Sequence, residues 1–165
     1  MQKICILFLV FLVSFRSFSQ DLPDYDNIKL EQKEDYTPYT DSIALLASNY
    51  VLSLPINTEN LPRLKSLQYI IKWMTGTPKY TFSLGEPIGK ITKKNSDLLS
   101  IYMAALTKYA IENRTKQPSE KETNLNSLKI LLEYCKVASN NVKIKGELKS
   151  VMEAYEKGEL EKRVE

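Results

Sequence analysis

The chain has 165 residues, with 23 basic and 20 acidic side chains, a formal net charge of +3 and no histidine. The lack of histidine excludes serine–histidine and cysteine–histidine nucleophile systems and any histidine zinc site. The net charge is small and the lysines are interleaved with glutamates, so we expect no nucleic-acid partner. The densest basic group, Lys90, Lys93 and Lys94, is interpreted as a solvated stretch before a helix.

The N-terminal residues have the pattern of a secretory signal peptide. Lys3 precedes an apolar run at residues 4–15, which is too short for a membrane-spanning helix of about 20 residues. Ser17 and Ser19 are the small residues expected three and one positions before a cleavage site, so cleavage is predicted between Ser19 and Gln20. The sequence therefore predicts a signal peptide at residues 1–19, export to the periplasm or beyond, and no transmembrane segment after cleavage.

The next segment, residues 20–36, is acidic and poor in aliphatic residues, and we interpret it as a flexible leader. The first helix is predicted to begin at Thr37, which can cap it, with Pro38 in its first turn. Its apolar residues recur at three- and four-residue spacings up to Leu54, and Pro55 ends it.

A second helix is predicted after the polar link at residues 57–60. Gly76 and Pro78 should end it, because glycine and proline follow helix C-termini. Trp73 lies beside its predicted buried side, which consists of Leu64, Leu67, Ile70, Ile71 and Met74.

Residues 79–92 have a different period. Tyr80, Phe82 and Leu84 alternate with polar residues before a turn at Gly85, which predicts a short β-hairpin or an extended loop. An isolated hairpin is marginally stable, so its apolar face should dock on the helices or on a partner. Aromatic rings suit contact surfaces, and we hypothesise that Trp73, Tyr80 and Phe82 form one.

Three further helices complete the predicted domain. The third runs from Ser96 to about Asn113 and has apolar residues on several faces, as expected of a central helix. The fourth follows Ser119 and ends near residues 140–141, and the fifth begins near Lys145. Residues 37–157 are thus predicted to be an all-α domain of about five helices, in an antiparallel bundle or helical-hairpin array, followed by a charged tail at residues 158–165. Cys135, the last of the two cysteines, should be buried in the fourth helix.

Two stretches of the sequence carry a resemblance to other proteins. They are Ile-Ile-Lys-Trp-Met-Thr-Gly-Thr-Pro at residues 70–78 and Asn-Ser-Asp-Leu-Leu-Ser-Ile-Tyr-Met at residues 95–103, the latter followed by Lys-Tyr-Ala at 108–110. With them, the chain resembles an uncharacterised family of small exported proteins of Gram-negative bacteria. The resemblance covers residues 36–155 and implies a helical fold and an envelope location. It implies no activity and no functional residues.

These observations favour an exported helical binding or accessory module of the cell envelope, whose partner is an unidentified envelope protein or ligand. No cofactor or metal site is expected. One alternative is an enzyme that uses carboxylates with tyrosine or lysine on envelope or glycan substrates. Another alternative is a carrier whose helices enclose a small apolar ligand against Trp73 and tyrosines.

Overall fold

A computed structural model of the protein describes residues 22–93 and 95–164, and within them the chain is all helical, with seven α-helices and no β-strand. The helices are α1 (Pro38–Ser53), α2 (Leu61–Gly76), α3 (Glu86–Thr92), α4 (Asp97–Glu112), α5 (Glu120–Lys136), α6 (Glu147–Glu156) and α7 (Leu160–Val164). None of these helices is long and apolar enough to cross a membrane. The predicted signal peptide and its cleavage residues, Ser17, Ser19 and Gln20, lie outside the described residues.

Three predicted helix starts are confirmed, because each has a side chain that accepts a backbone N–H of the first turn. The Thr37 hydroxyl accepts the N–H of Thr40 at 3.3 Å. The Asn60 side chain accepts from the backbone of α2 at 2.7 Å, and Ser119 does the same for α5 at 3.2 Å. Such caps satisfy N–H groups that have no partner within the helix, and each contributes about 1 kcal/mol.

Helix α4 lies at the centre of the packed helices, as its apolar residues on several faces predicted. It contacts α1, α2, α3 and α5. Ile101, Tyr102 and Leu106 are almost completely inaccessible to solvent, and Ala104 and Ala105 are buried beside them. Small residues on a central helix allow neighbouring helices to approach closely, so α4 positions the surrounding helices around one core.

The predicted β-hairpin at residues 79–92 is wrong. Residues 79–85 form an irregular segment, and α3 begins directly after Gly85. Pro87 lies in the first turn of α3, where its fixed φ suits a helix and its missing N–H costs no hydrogen bond. Ile88 and Ile91, three residues apart, are both buried, which is a helical spacing. With the two unpredicted helices, α3 and α7, the described residues contain seven helices instead of the predicted five.

The two ends of the described chain pack on the helices. Tyr25, Leu30 and Tyr36 of the leader are buried, and two 3-10 turns, Tyr25–Asn27 and Lys33–Asp35, shape this segment. In the predicted charged tail, Leu160 of α7 is only 3% exposed. Both segments thus add apolar area to the core of the domain.

Helix α2 buries a different face from the one that its sequence predicted. Ile70 and Trp73 are buried, but Leu64 and Ile71 are 53% and 47% exposed, and Ser66 is buried in their place. The Ser66 hydroxyl donates to the carbonyl of Pro62 at 2.8 Å and lies 3.0 Å from the Tyr25 hydroxyl. Because the Ser66 hydroxyl has both of these hydrogen-bond partners, its burial has little cost in free energy. The face of α2 that carries Ser66 can therefore pack closely against the rest of the protein.

Candidate functional site

Trp73, expected at a contact surface, has no exposed area. Its indole N–H donates to Oδ1 of Asp41 on α1 at 3.1 Å. A buried tryptophan usually finds such a partner for its one polar atom. Trp73 therefore joins α2 to α1 in the core and does not itself offer a surface to a ligand.

The structure does bring Trp73, Tyr80 and Phe82 together. The ring of Trp73 lies 5.5 Å from that of Tyr80 and 6.0 Å from that of Phe82, and the latter two are 6.0 Å apart, all in tilted arrangements. These centroid distances are typical of stabilising aromatic pairs, each worth about 0.5–1.5 kcal/mol. The alternation that suggested a strand is thus explained by two rings that pack on one buried tryptophan.

An ion pair between an exposed lysine and a buried carboxylate fixes the beginning of the same segment. Lys79 Nζ lies 2.8 Å from Oδ2 of Asp41, whose other oxygen accepts the Trp73 indole. Asp41 is 2% exposed, whereas the Lys79 side chain is 39% exposed. Burial, and then the nearby Asp41 carboxylate, raise the pKa of Tyr80, which therefore keeps its proton at neutral pH.

The end of the segment is held by polar side chains of α5. The Ser83 hydroxyl donates to Oε1 of Glu120 and accepts from Nδ2 of Asn124 at 3.0 Å. The Tyr102 hydroxyl on α4 lies 3.4 Å from Oδ1 of Asn124. We call residues 79–85 the α2–α3 loop, because they connect these two helices and are held at both ends.

Two clefts lie on either side of the α2–α3 loop. The first, with a volume of about 470 Å³, is the Tyr102 cleft. Its apolar floor consists of Gly85, Pro87, Ile88, Leu125 and Leu128, and its polar wall consists of Ser83, Tyr102, Glu120 and Asn124, with Lys121 also in the lining. The second, of about 590 Å³, is the Tyr80 cleft, which Lys79, Tyr80, Phe82 and Arg114 line together with residues of α4 and α5.

The polar wall of the Tyr102 cleft was not predicted from the sequence. Ser83 and Asn124 are 41 residues apart, and Ser83 and Glu120 are 37 apart. Their residue types are common on helix surfaces and in loops, so no local pattern distinguishes them. Only the pairing of the α2–α3 loop with the start of α5 brings them together.

An exposed apolar stripe on α2 is the other feature that could contact a partner. Leu61, Leu64 and Ile71 are 63%, 53% and 47% exposed, and Leu67 and Met74 are partly buried beside them. The stripe is convex because it lies on one helix, whereas the Tyr102 cleft is concave. Concave sites with a few polar groups are the usual form of small-molecule sites, so the cleft is the stronger candidate.

Comparisons with protein-family models, with curated proteins and with solved structures found no match for this chain. The features of this chain that bear on its function are therefore the geometry and chemistry of the Tyr102 cleft and the N-terminal sequence.

Proposed function

We propose that this chain is an exported helical binding module of the bacterial cell envelope, and that its ligand is a small amphipathic molecule held in the Tyr102 cleft. Residues 1–19 support export, because they have the three regions of a signal peptide. The observation that carries the binding role is a cleft whose lining combines apolar residues with four polar side chains joined by hydrogen bonds. The volume of about 470 Å³ lies within the usual range for small-molecule sites, roughly 300–1,000 Å³.

The Tyr80 cleft is less suited to an amphipathic ligand because three of its lining side chains, Lys79, Tyr80 and Phe82, hold the α2–α3 loop on the core. Lys79 is paired with the buried Asp41. The rings of Tyr80 and Phe82 pack on Trp73. A ligand there would compete with contacts that hold the α2–α3 loop, whereas the floor of the Tyr102 cleft can be covered without breaking any of them.

Binding can be tested with n-octanol as a simple amphipathic probe and the mature protein, residues 20–165, observed by NMR. We expect shifts of the Asn124 side-chain amide and of the backbone amide of Ser83, since both groups belong to the polar wall. Leu125→Glu places a charge on the apolar floor and should weaken binding at least about tenfold. Ile71→Glu makes the same change on the exposed stripe of α2 and should leave binding unchanged.

Octanol shifts that cluster on α2, or that survive Leu125→Glu and disappear with Ile71→Glu, would contradict this assignment. The cleft would then not be the ligand site, and the exposed stripe of α2 would replace it as the contact surface.

Export can be tested separately by N-terminal sequencing of the protein recovered from its native cells. The mature chain should begin at Gln20 and be found outside the cytoplasm. Ser19→Tyr should block processing, because the residue before the cut must be small, while Gln20→Ala should be processed normally. An intact Met1 start on protein in the cytoplasm would refute export.

A further inference from the structure

The polar wall of the Tyr102 cleft is a single chain of hydrogen bonds. It runs from Tyr102, whose hydroxyl lies 3.4 Å from Oδ1 and 3.5 Å from the backbone carbonyl oxygen of Asn124, and then from Nδ2 of Asn124 to Ser83 at 3.0 Å. The last bond joins the Ser83 hydroxyl to Oε1 of Glu120. Each of these four residues lines the cleft.

The chemistry of the carboxylate fixes the direction of every bond in this chain. A carboxylate can only accept, so the Ser83 hydroxyl must donate its one proton to Glu120. The Ser83 oxygen then accepts from Asn124, which must present its NH₂ group to Ser83 and its carbonyl oxygen to Tyr102. Burial raises the pKa of Tyr102 above its ordinary value, so the phenol keeps the proton that it donates.

Consequently the protons of the Asn124 and Ser83 bonds are directed towards Glu120, where the chain ends in an acceptor. An ionised carboxylate can accept about four hydrogen bonds, and Ser83 supplies one of them. Glu120 is exposed at the first residue of α5 and lines both the Tyr102 cleft and the Tyr80 cleft, so its remaining acceptor sites are accessible. The other charge of the lining is Lys121, whose Nζ lies 4.0 Å from the carboxylate of Glu161.

We propose that the Tyr102 cleft binds amphipathic molecules that carry a protonated amine, with the ammonium group on Glu120 and the apolar chain on the accessible part of the floor, Pro87 and Leu125. An ammonium matches Glu120 in charge and supplies three donors. An alcohol can donate only one neutral hydrogen bond, and a carboxylate would be repelled. This assignment depends on the cleft being a ligand site, as proposed above.

Three probes of equal chain length separate the head group from the apolar chain: n-octylamine, n-octanol and n-octanoate. Dissociation constants are measured with the mature protein by NMR titration at neutral pH and low salt. A charge-assisted hydrogen bond is roughly twice as strong as a neutral one, so octylamine should bind about tenfold more tightly than octanol, and octanoate should bind most weakly. In 1 M salt this preference should decrease, because exposed charges are then strongly screened.

Glu120→Gln keeps the size and the acceptor oxygen but removes the charge, and it should reduce the preference for octylamine over octanol to about one. The matched control is Glu122→Gln, two residues further along the same helix. Glu122 accepts from the Tyr109 hydroxyl at 3.2 Å and does not line the cleft, so its loss of charge should leave the tenfold preference intact.

The possible results distinguish failure of the amine assignment from failure of the binding role. Equal affinity for octylamine and octanol, or tightest binding of octanoate, would overturn the amine assignment while the cleft remains a ligand site. Equal loss of preference in Glu120→Gln and Glu122→Gln would also overturn it, since the effect would then come from overall charge. No binding of any of the three probes would overturn both proposals.

Discussion

The ion pair of Asp41 and Lys79 allows a quantitative prediction about what holds the α2–α3 loop. Asp41→Asn keeps an acceptor for the Trp73 indole but removes the charge that Lys79 pairs with at 2.8 Å. A hydrogen bond between charged groups contributes about 1.5–3 kcal/mol. Because the Lys79 side chain is 39% exposed, water can replace part of that interaction, and we expect a loss of about 1–2 kcal/mol.

Lys79→Met should be more destabilising than Asp41→Asn. It leaves a carboxylate that is 2% exposed without its cation, and breaking a buried pair in this way costs roughly 3–5 kcal/mol. The Trp73 N–H still solvates the carboxylate and the site is partly open, so we expect a loss of about 2–3 kcal/mol. The double variant removes both charges and should lose only about as much stability as Asp41→Asn alone, a coupling of about 2–3 kcal/mol.

Urea unfolding followed by fluorescence is the appropriate assay, because Trp73 is the only tryptophan of the chain and is completely buried. The control is Lys65→Met, which removes an ion pair with Asp26 whose carboxylate side chain is 70% exposed, and it should cost less than about 1 kcal/mol. Additive effects of Asp41→Asn and Lys79→Met, within about 0.3 kcal/mol, would refute the reasoning.

Three other predictions concern single sites. Gly76→Ala should destabilise the protein by about 1–3 kcal/mol in urea unfolding, because a Cβ would lie 1.7 Å from the Tyr36 hydroxyl oxygen. Adding Tyr36→Leu should cancel most of this effect, and an unchanged midpoint for Gly76→Ala alone would disprove the contact. Burial raises the pKa of the Cys135 thiol to about 12. A thiol reagent should therefore label Cys135 slowly in native protein comprising residues 20–165 and quickly in urea. Equal labelling rates would contradict its burial. The backbone N–H of Gln32, together with that of the preceding residue, lowers the pKa of Asp35. The stabilising effect of Asp35 should therefore be complete above its unfolded pKa of about 3.9 and be lost as the pH falls from there through its lower folded-state pKa. The difference in Tm between the wild-type protein and Asp35→Asn should close over the same pH range. A Tm difference that is constant from pH 3 to 7 would rule out this role of Asp35.

The sequence was sufficient to predict the long helices because their signals are local. A capping side chain at Thr37, or a polar link before a run of apolar residues at helical spacing, needs no knowledge of the rest of the fold. The short helix α3 was missed for a physical reason. Ile88 and Ile91 occur in a run too short for a period of 2 to be distinguished from one of 3.6, and the preceding alternation of Tyr80 and Phe82 favoured a strand.

The face that α2 buries, and the polar wall of the cleft, depend on contacts between distant residues. Ser66 is buried because Tyr25, 41 residues earlier, is positioned to meet its hydroxyl. Leu64 and Ile71 are exposed although their spacing is typical of a core face. The sequence also led us to expect a contact between Trp73, Tyr80 and Phe82. It did not predict that Trp73 would be buried, with the two rings of the loop packed against it.

The attachments of the α2–α3 loop also explain why the Tyr102 cleft can have a defined shape. Lys79 and Ser83 are four residues apart, so an extended chain places them at most about 13 Å from each other. The ion pair to Asp41 fixes one end of this short span, and the rings of Tyr80 and Phe82 fix its middle on Trp73. Ser83 is therefore held in position beside Glu120 before any ligand arrives. A site that is already ordered loses less entropy on binding, so these core contacts should favour the binding that we propose for the cleft.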